Sequence, residues 1–73
     1  MTSKIQAIVF DKTYYDTKKA RQWLKQHKHK AIKRVDITQN TLRYRLIDPA
    51  KFKRFRLKNI TAGIQFVFGY ITT

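Results

Sequence analysis

Hydrophobic and polar positions alternate along several stretches of this chain, and the alternation predicts β-strands. Residues 4–10 are rich in β-branched side chains and predict the first strand. Residues 54–58 alternate apolar with basic side chains, which predicts a short strand. Residues 64–71 predict the last and most apolar strand, in which Gly69 marks a bulge or the close approach of another group.

One helix is predicted after the first strand. Asp16 is a suitable N-cap, and the helix is expected to end near residue 27 or 28. Apolar positions recur at the spacing i, i+3, i+4 and i+7 and form one stripe, made of Ala20, Trp23, Leu24 and His27. Lysine and arginine cover most of the remaining surface, so the helix is amphipathic with a cationic polar side.

The clearest local pattern lies in residues 34–47, where two alternating runs flank Gln39 and Asn40. Asn tolerates the positive φ that a two-residue hairpin turn needs, so a turn at 39–40 is predicted. This turn sets four cross-strand pairs: Ile37 with Leu42, Val35 with Tyr44, Asp36 with Arg43, and Arg34 with Arg45. One register therefore gives an apolar face and a polar face at once.

The order of elements is β-α-β-β-β-β, with a break at Asp48-Pro49 and a turn at 59–63. This order predicts a single α+β domain over residues 1–73. One amphipathic helix would pack on a small, mostly antiparallel sheet of about four to five strands.

Charge gives the first indication of function. The chain of 73 residues has 17 Lys and Arg against 4 Asp and Glu, a formal net charge of +13. Hydrophobic residues make up 42% and aromatic residues 14%, which allows a thin core and argues against a disordered basic tail. A folded domain with this balance is expected to bind a polyanion, and nucleic acid is the leading candidate.

The basic residues fall into two stretches, which predict two phosphate-binding surfaces. The helix and its exit are expected to supply the first, through Lys18, Lys19, Arg21, Lys25, Lys28 and Lys30. The strands are expected to supply the second, through Arg34, Arg43, Arg45, Arg54 and Arg56. If the strand carrying Arg54 lies beside the hairpin, these arginines form one array on the outer sheet face, suited to phosphate. The alternative is that they form a solvated face that keeps the protein soluble.

Aromatic residues near these charges divide into two groups. Tyr14 and Tyr15 lie in a connection, where they are candidates for stacking on bases. Trp23 and Phe55 are assigned to the core, while Phe52 fits either group.

The sequence offers little for catalysis. There is no cysteine and no glutamate, and the four aspartates are far apart. His27 and His29 are two residues apart, a weak basis for a metal site. No catalytic, metal-binding or cofactor-binding residue is therefore predicted, and an enzyme is not expected.

No apolar run reaches the ~18 residues that suggest a membrane span. The first residues also lack the apolar stretch of a secretory signal, so an intracellular location is expected.

Several motifs resemble one family. Residues 20–27 fit the A-x-x-W-L-x-x-H helix of small basic domains encoded by tailed bacteriophages and large DNA viruses. Later segments resemble that family's R-F/Y-R strand, Asp-Pro break and G-I-x-x-V-x-G ending, at residues 43–45, 48–49 and 63–69. The resemblance implies a viral origin and a virion or DNA-packaging setting, in the virion or in the host nucleus or cytoplasm. It implies no active site.

The function predicted is that of a small viral protein that binds the phosphate backbone of nucleic acid. Binding would be largely without sequence preference, with DNA slightly favoured over RNA. The alternative is a virion structural or assembly protein that docks on an acidic viral or host protein. The apolar strand 64–71 would then be a place for strand addition or homodimerisation, provided that it is a sheet edge.

Overall fold

The computed structural model describes residues 2–32 and 34–71. Its elements in chain order are β1 (Thr2–Asp11), α1 (Thr17–Gln26), β2 (Asp36–Ile37), β3 (Thr41–Arg45), a short 3-10 turn (Pro49–Lys51), β4 (Arg54–Thr61) and β5 (Ile64–Ile71). The strands form one antiparallel sheet in the order β2-β3-β1-β5-β4. The predicted α+β class and the element order β-α-β-β-β-β are therefore confirmed.

The core lies between α1 and one face of the sheet, here called the helix-side face. Phe10 of β1 is completely buried at its centre, with ring centroids 5.0 Å from Tyr15, 5.7 Å from Trp23 and 5.6 Å from Tyr44. The buried residues of this cluster are Ile8, Phe10, Ala20, Leu24, Leu42, Tyr44 and Ile64. The opposite side of the sheet is called the outer face.

Both ends of α1 are capped. The Asp16 carboxylate accepts a hydrogen bond from the Lys19 backbone N–H at 2.7 Å, as the sequence predicts. At the other end the His29 N–H donates to the Leu24 carbonyl at 2.8 Å, and the Lys28 N–H to the Lys25 carbonyl at 3.2 Å. These bonds form a Schellman motif in which Lys28, at φ 60°, takes the left-handed position where glycine is usual.

Replacing Lys28 with glycine is expected to raise the free energy of unfolding by about 1 kcal/mol, because glycine adopts positive φ without steric cost. Chemical denaturation measures the change. Lys30→Gly is the matched control, since it removes the same charge from a residue without positive φ and should not stabilise. A lower stability for Lys28→Gly than for the parent would contradict this account of the cap.

The predicted hairpin turn at 39–40 is confirmed. The Thr38 N–H donates to the Thr41 carbonyl at 2.9 Å, and the Thr41 N–H donates to Thr38 Oγ1 at 3.0 Å. The predicted pairs of Asp36 with Arg43 and of Ile37 with Leu42 are also present.

The remaining two predicted hairpin pairs are wrong, because β2 contains only residues 36–37. Arg34 and Val35 precede it, so neither forms a ladder pair with Arg45 or Tyr44. The physical reason lies upstream: the Ile32 N–H already donates to the Arg45 carbonyl at 2.9 Å, and the chain crosses the end of β3 before it joins the sheet.

The predicted arginine array on one sheet face is wrong as well. β4 lies at the opposite edge of the sheet from the hairpin, with β1 and β5 between them. Strand β5 is for the same reason interior rather than an edge, so strand addition or homodimerisation through residues 64–71 is not available. The cause is that β1 pairs with both β3 and β5, so it separates the β2-β3 hairpin from the β4-β5 hairpin.

Gly69 confirms the predicted close approach. The ring of Phe52, only 7% exposed, packs directly against it on the outer face.

Phe55 is 48% exposed, so its assignment to the core is wrong. It lies on the edge strand β4, where the ring of Phe52 covers it only in part, with the two ring centroids 6.0 Å apart. The predicted turn at 59–63 is also shorter than expected, because β4 continues to Thr61.

Candidate nucleic-acid interface

Strands β4 and β5 bring cations and aromatic rings into register. β4 carries a basic side chain at every second position from Arg54 to Lys58, and β5 carries an aromatic ring at every second position from Phe66 to Tyr70. Directly opposed residues in an antiparallel pair share a face. The pairs are Arg54 with Tyr70, Arg56 with Phe68, and Lys58 with Phe66, a set called here the cation–aromatic ladder.

The ladder lies on the helix-side face, beside the helix. Its position follows from Phe66, whose ring is 6.0 Å from that of Trp23 on α1 and 6.1 Å from that of Phe68. The three aromatic residues are half-buried and the three basic residues are exposed. The ladder therefore offers rings that the fold holds in place and cations that water can reach.

The row of rings continues from the sheet onto the helix terminus. His27 stacks on Trp23 with centroids 3.9 Å apart and planes 16° apart, and its Nδ1 lies 2.9 Å from the Trp23 carbonyl oxygen. The Schellman turn brings His29 to 5.9 Å from Trp23 and 6.3 Å from Phe66. Trp23, which the sequence assigns to the core, is partly buried and also belongs to this row.

Part of the ladder surface is concave. It holds an open depression of about 440 Å³, lined by Ser3, Arg56, Leu57, Lys58, Phe68 and Tyr70. A flat ring bound in this depression would contact the aromatic side chains of β5 while a linked anion faced β4.

A second cationic surface lies on the other side of the helix. An open cleft of about 440 Å³ separates α1 from the segment that follows it. Four basic residues line it, called here the basic cleft: Arg21, Lys25, Lys30 and Arg34. His29 lines the same cleft and also lies beside Phe66, so the cleft and the ladder adjoin at this residue.

Tyr44 forms part of the cleft wall. Burial raises the pKa of its phenol, and the nearby Arg21 guanidinium opposes this only in part, while Asp16 adds to the rise. The hydroxyl therefore stays protonated at neutral pH, and it points to the Thr17 carbonyl at 3.5 Å.

The acidic residues leave both cationic surfaces unneutralised. Asp11, Asp16 and Asp48 accept hydrogen bonds from backbone N–H groups within two or three residues of themselves. Asp36 pairs with Arg45 at 2.9 Å rather than with its register neighbour Arg43. Within residues 2–32 and 34–71 this is the one ion pair, and it lies on the outer face.

The predicted site residues fall into four places. The basic cleft collects Arg21, Lys25, Lys30 and Arg34. The ladder contains Arg54 and Arg56. The outer face carries Arg43 and Arg45. Three residues lie outside both cationic surfaces and are exposed: Lys18, Lys19 and Lys28.

The aromatic candidates differ more from expectation. Tyr15 is partly buried and packs against the core, while Tyr14 is 55% exposed, and the role of both in stacking on bases stays a prediction. Four ladder residues were not among the predicted site residues: Lys58, Phe66, Phe68 and Tyr70. The alternation within each strand is visible in the sequence, but the register that places the basic residues of β4 opposite the rings of β5 is not.

No protein-family model, no curated protein and no solved structure matches this chain. Across the described residues no helix is long and apolar enough to cross a membrane. Likewise, no group of three His, Cys, Asp or Glu side chains within those residues is placed to hold a metal ion.

Proposed function

We propose that this protein binds single-stranded nucleic acid with little sequence preference, through its phosphates and the flat faces of its bases. The observation that carries the proposal is the cation–aromatic ladder, in which three exposed cations face three half-buried rings across one strand pair. Phosphates would bind along β4 while bases stack along β5. A positively charged groove with aromatic side chains is the common design of proteins that bind single strands without sequence preference.

The spacing and chemistry of the ladder fit this role. Alternate residues on an antiparallel strand are about 6.8 Å apart, so successive rings of β5 can each meet a separate base. Every base has a flat apolar face, so stacking tolerates any sequence and contributes about 1–3 kcal/mol per base. The basic cleft continues the same positive surface through His29 and supplies further phosphate contacts.

The resemblance to small phage and viral domains supports a viral setting for this activity, in a virion or during DNA packaging. A second function, that of a virion structural or assembly protein docking on an acidic protein, is favoured by a different observation. That observation is the apolar groove with arginines on the outer face.

Phe68→Ala tests the proposed stacking. Fluorescence anisotropy with labelled single strands, DNA and RNA, should show affinity weaker by about 10-fold, which corresponds to one lost stack. Affinity for a duplex of the same length should change by less than about 2-fold, because paired bases are not free to stack on a ring.

Phe55→Ala is the matched control, since it removes the same ring from the outer face of the neighbouring strand. It should weaken binding of single strands less than Phe68→Ala does, because Phe55 borders Arg54, Arg56 and Tyr70 at the sheet edge but opposes Gly69 and lies outside the row of rings. Equal binding of the parent to single strands, duplex and heparin with one common salt dependence would leave only generic charge attraction and refute the proposal.

A further inference from the structure

The outer face of the sheet carries an apolar surface that the core does not need. Its floor is a small cluster of Ala7, Val9 and Val67, which are at most 7% exposed. Beside this floor, Phe55 is 48% exposed and Leu57 is 60% exposed, both on β4. α1 packs on the other side of the sheet. The connection that carries Pro49 and Phe52 lies over part of the outer face and leaves Phe55 and Leu57 open to water.

The surface forms a groove of about 420 Å³ with two unlike walls. Its lining residues are Gln6, Arg43, Arg45, Pro49, Phe55, Leu57 and Val67. The arginine wall belongs to β3 and the apolar wall to β4, and β1 and β5 lie between them. The side chains between the walls leave the floor at most 7% exposed. An occupant would therefore rest on the exposed rims, which Phe55 and Leu57 form on one side and Arg43 on the other.

The charges of the groove define the chemistry of its occupant. Arg43 is exposed, and Asp36, its register neighbour, bonds to Arg45 instead. The β3 wall thus carries two guanidinium groups against one carboxylate, and the β4 wall carries none of either sign on this face. A helix that matches both walls needs an apolar stripe on one side and acidic residues on the adjacent flank.

We propose that the outer face binds an amphipathic helix of another protein, with its apolar stripe on Phe55 and Leu57 and its acidic flank against Arg43 and Arg45. A second copy of this chain is a poor occupant, because two molecules of net charge +13 repel each other and would place arginines against a cationic partner. This surface and the nucleic-acid surface lie on opposite faces of one sheet and meet at the edge strand β4, where Leu57 lines both.

A synthetic helix tests the proposal. The probe is an alanine-based peptide of about 18 residues, with leucines at i, i+3, i+4 and i+7 spacing and glutamates along one flank. The control peptide has lysine in place of every glutamate. Isothermal titration calorimetry with the full chain should show binding of the acidic peptide and at least about 10-fold weaker binding of the control.

Variants locate the binding surface. Leu57→Ala should weaken binding of the acidic peptide by at least about 10-fold, as expected for a central apolar contact. Ile37→Ala is the matched control: Ile37 is also 60% exposed, but its pairing with the core residue Leu42 places it on the helix-side face. Its affinity for the peptide should equal that of the parent. Arg43→Gln should weaken binding and reduce its dependence on salt.

Three results would overturn the proposal. The first is an acidic peptide that does not bind, and the second is equal binding by the parent and Leu57→Ala. The third is self-association of the parent that Leu57→Ala abolishes, since a second copy would then occupy the groove.

Discussion

Gly69→Ala is expected to lower the free energy of unfolding by about 2–3 kcal/mol, near the upper end of the usual cost of overpacking a core. A Cβ atom at this position would clash with the ring of Phe52. Phe52 is 7% exposed, and its ring packs edge-on against that of Phe55 with the centroids 6.0 Å apart. The ring therefore cannot move aside without losing burial. Urea denaturation followed by tryptophan fluorescence measures the change.

A double-mutant cycle identifies the cause of this effect. In a Phe52→Ala background the clash is absent, so Gly69→Ala should change the free energy of unfolding by close to nothing. The coupling energy between the two substitutions should then account for most of the cost of Gly69→Ala in the parent. Phe52→Ala alone is expected to cost about 3–5 kcal/mol, so all four proteins are measured with a stabilising osmolyte present. Additive costs in the two backgrounds would show that the ring is not what excludes a side chain at Gly69.

Removing the three cations of the ladder should have the largest effect on binding. The triple variant Arg54→Gln, Arg56→Gln and Lys58→Gln is expected to bind single strands about 100-fold more weakly near 0.1 M salt, if each cation contacts one phosphate. The slope of log affinity against log salt should become shallower by about 2. All three side chains are exposed, so the variant should fold, which circular dichroism verifies.

The matched control removes the same charge from elsewhere, through Lys18→Gln, Lys19→Gln and Lys28→Gln. These residues are exposed and lie outside the ladder and the basic cleft. Their loss should weaken binding by less than about 10-fold, through the general field of the protein. Equal losses in the two triple variants would mean that the nucleic acid has no preferred surface on this protein.

Local features of this fold were predictable because each depends on a few neighbouring residues. The Asp16 cap, the turn at 39–40 and the alternation in β5 follow from side-chain chemistry within about one turn of chain. The α+β class followed from the order of these elements alone.

Features that depend on distant partners were not predictable. Alternation tells which residues of one strand share a face, but it does not tell which face of the sheet that is. Arg54 and Arg43 could be joined in one array only by assuming that their strands are neighbours, and β1 and β5 separate them. The same limit applies to Phe55, since the open side of an edge strand has no signature in its own sequence.

The ladder required a third kind of information, the register of the last hairpin. A turn at 59–63, as predicted, would end β4 at Lys58, whereas β4 continues to Thr61 and shifts register between Asn59 and Thr61. That irregularity sets which residues of β4 oppose the rings of β5. A one-residue slip would place the cations on the outer face and leave the rings without them.

The central place of β1 has a consequence for how the chain folds. β1 is the first strand of the sheet in chain order, yet it pairs along most of its length with β5, the last strand. The sheet therefore closes by a pairing of high sequence separation, which slows folding because the loop must close before the contact can stabilise it. Folding is expected to be completed only after residues 64–71 have left the ribosome. The ladder and the outer-face groove both include residues of β5, so neither should exist before β5 has been made.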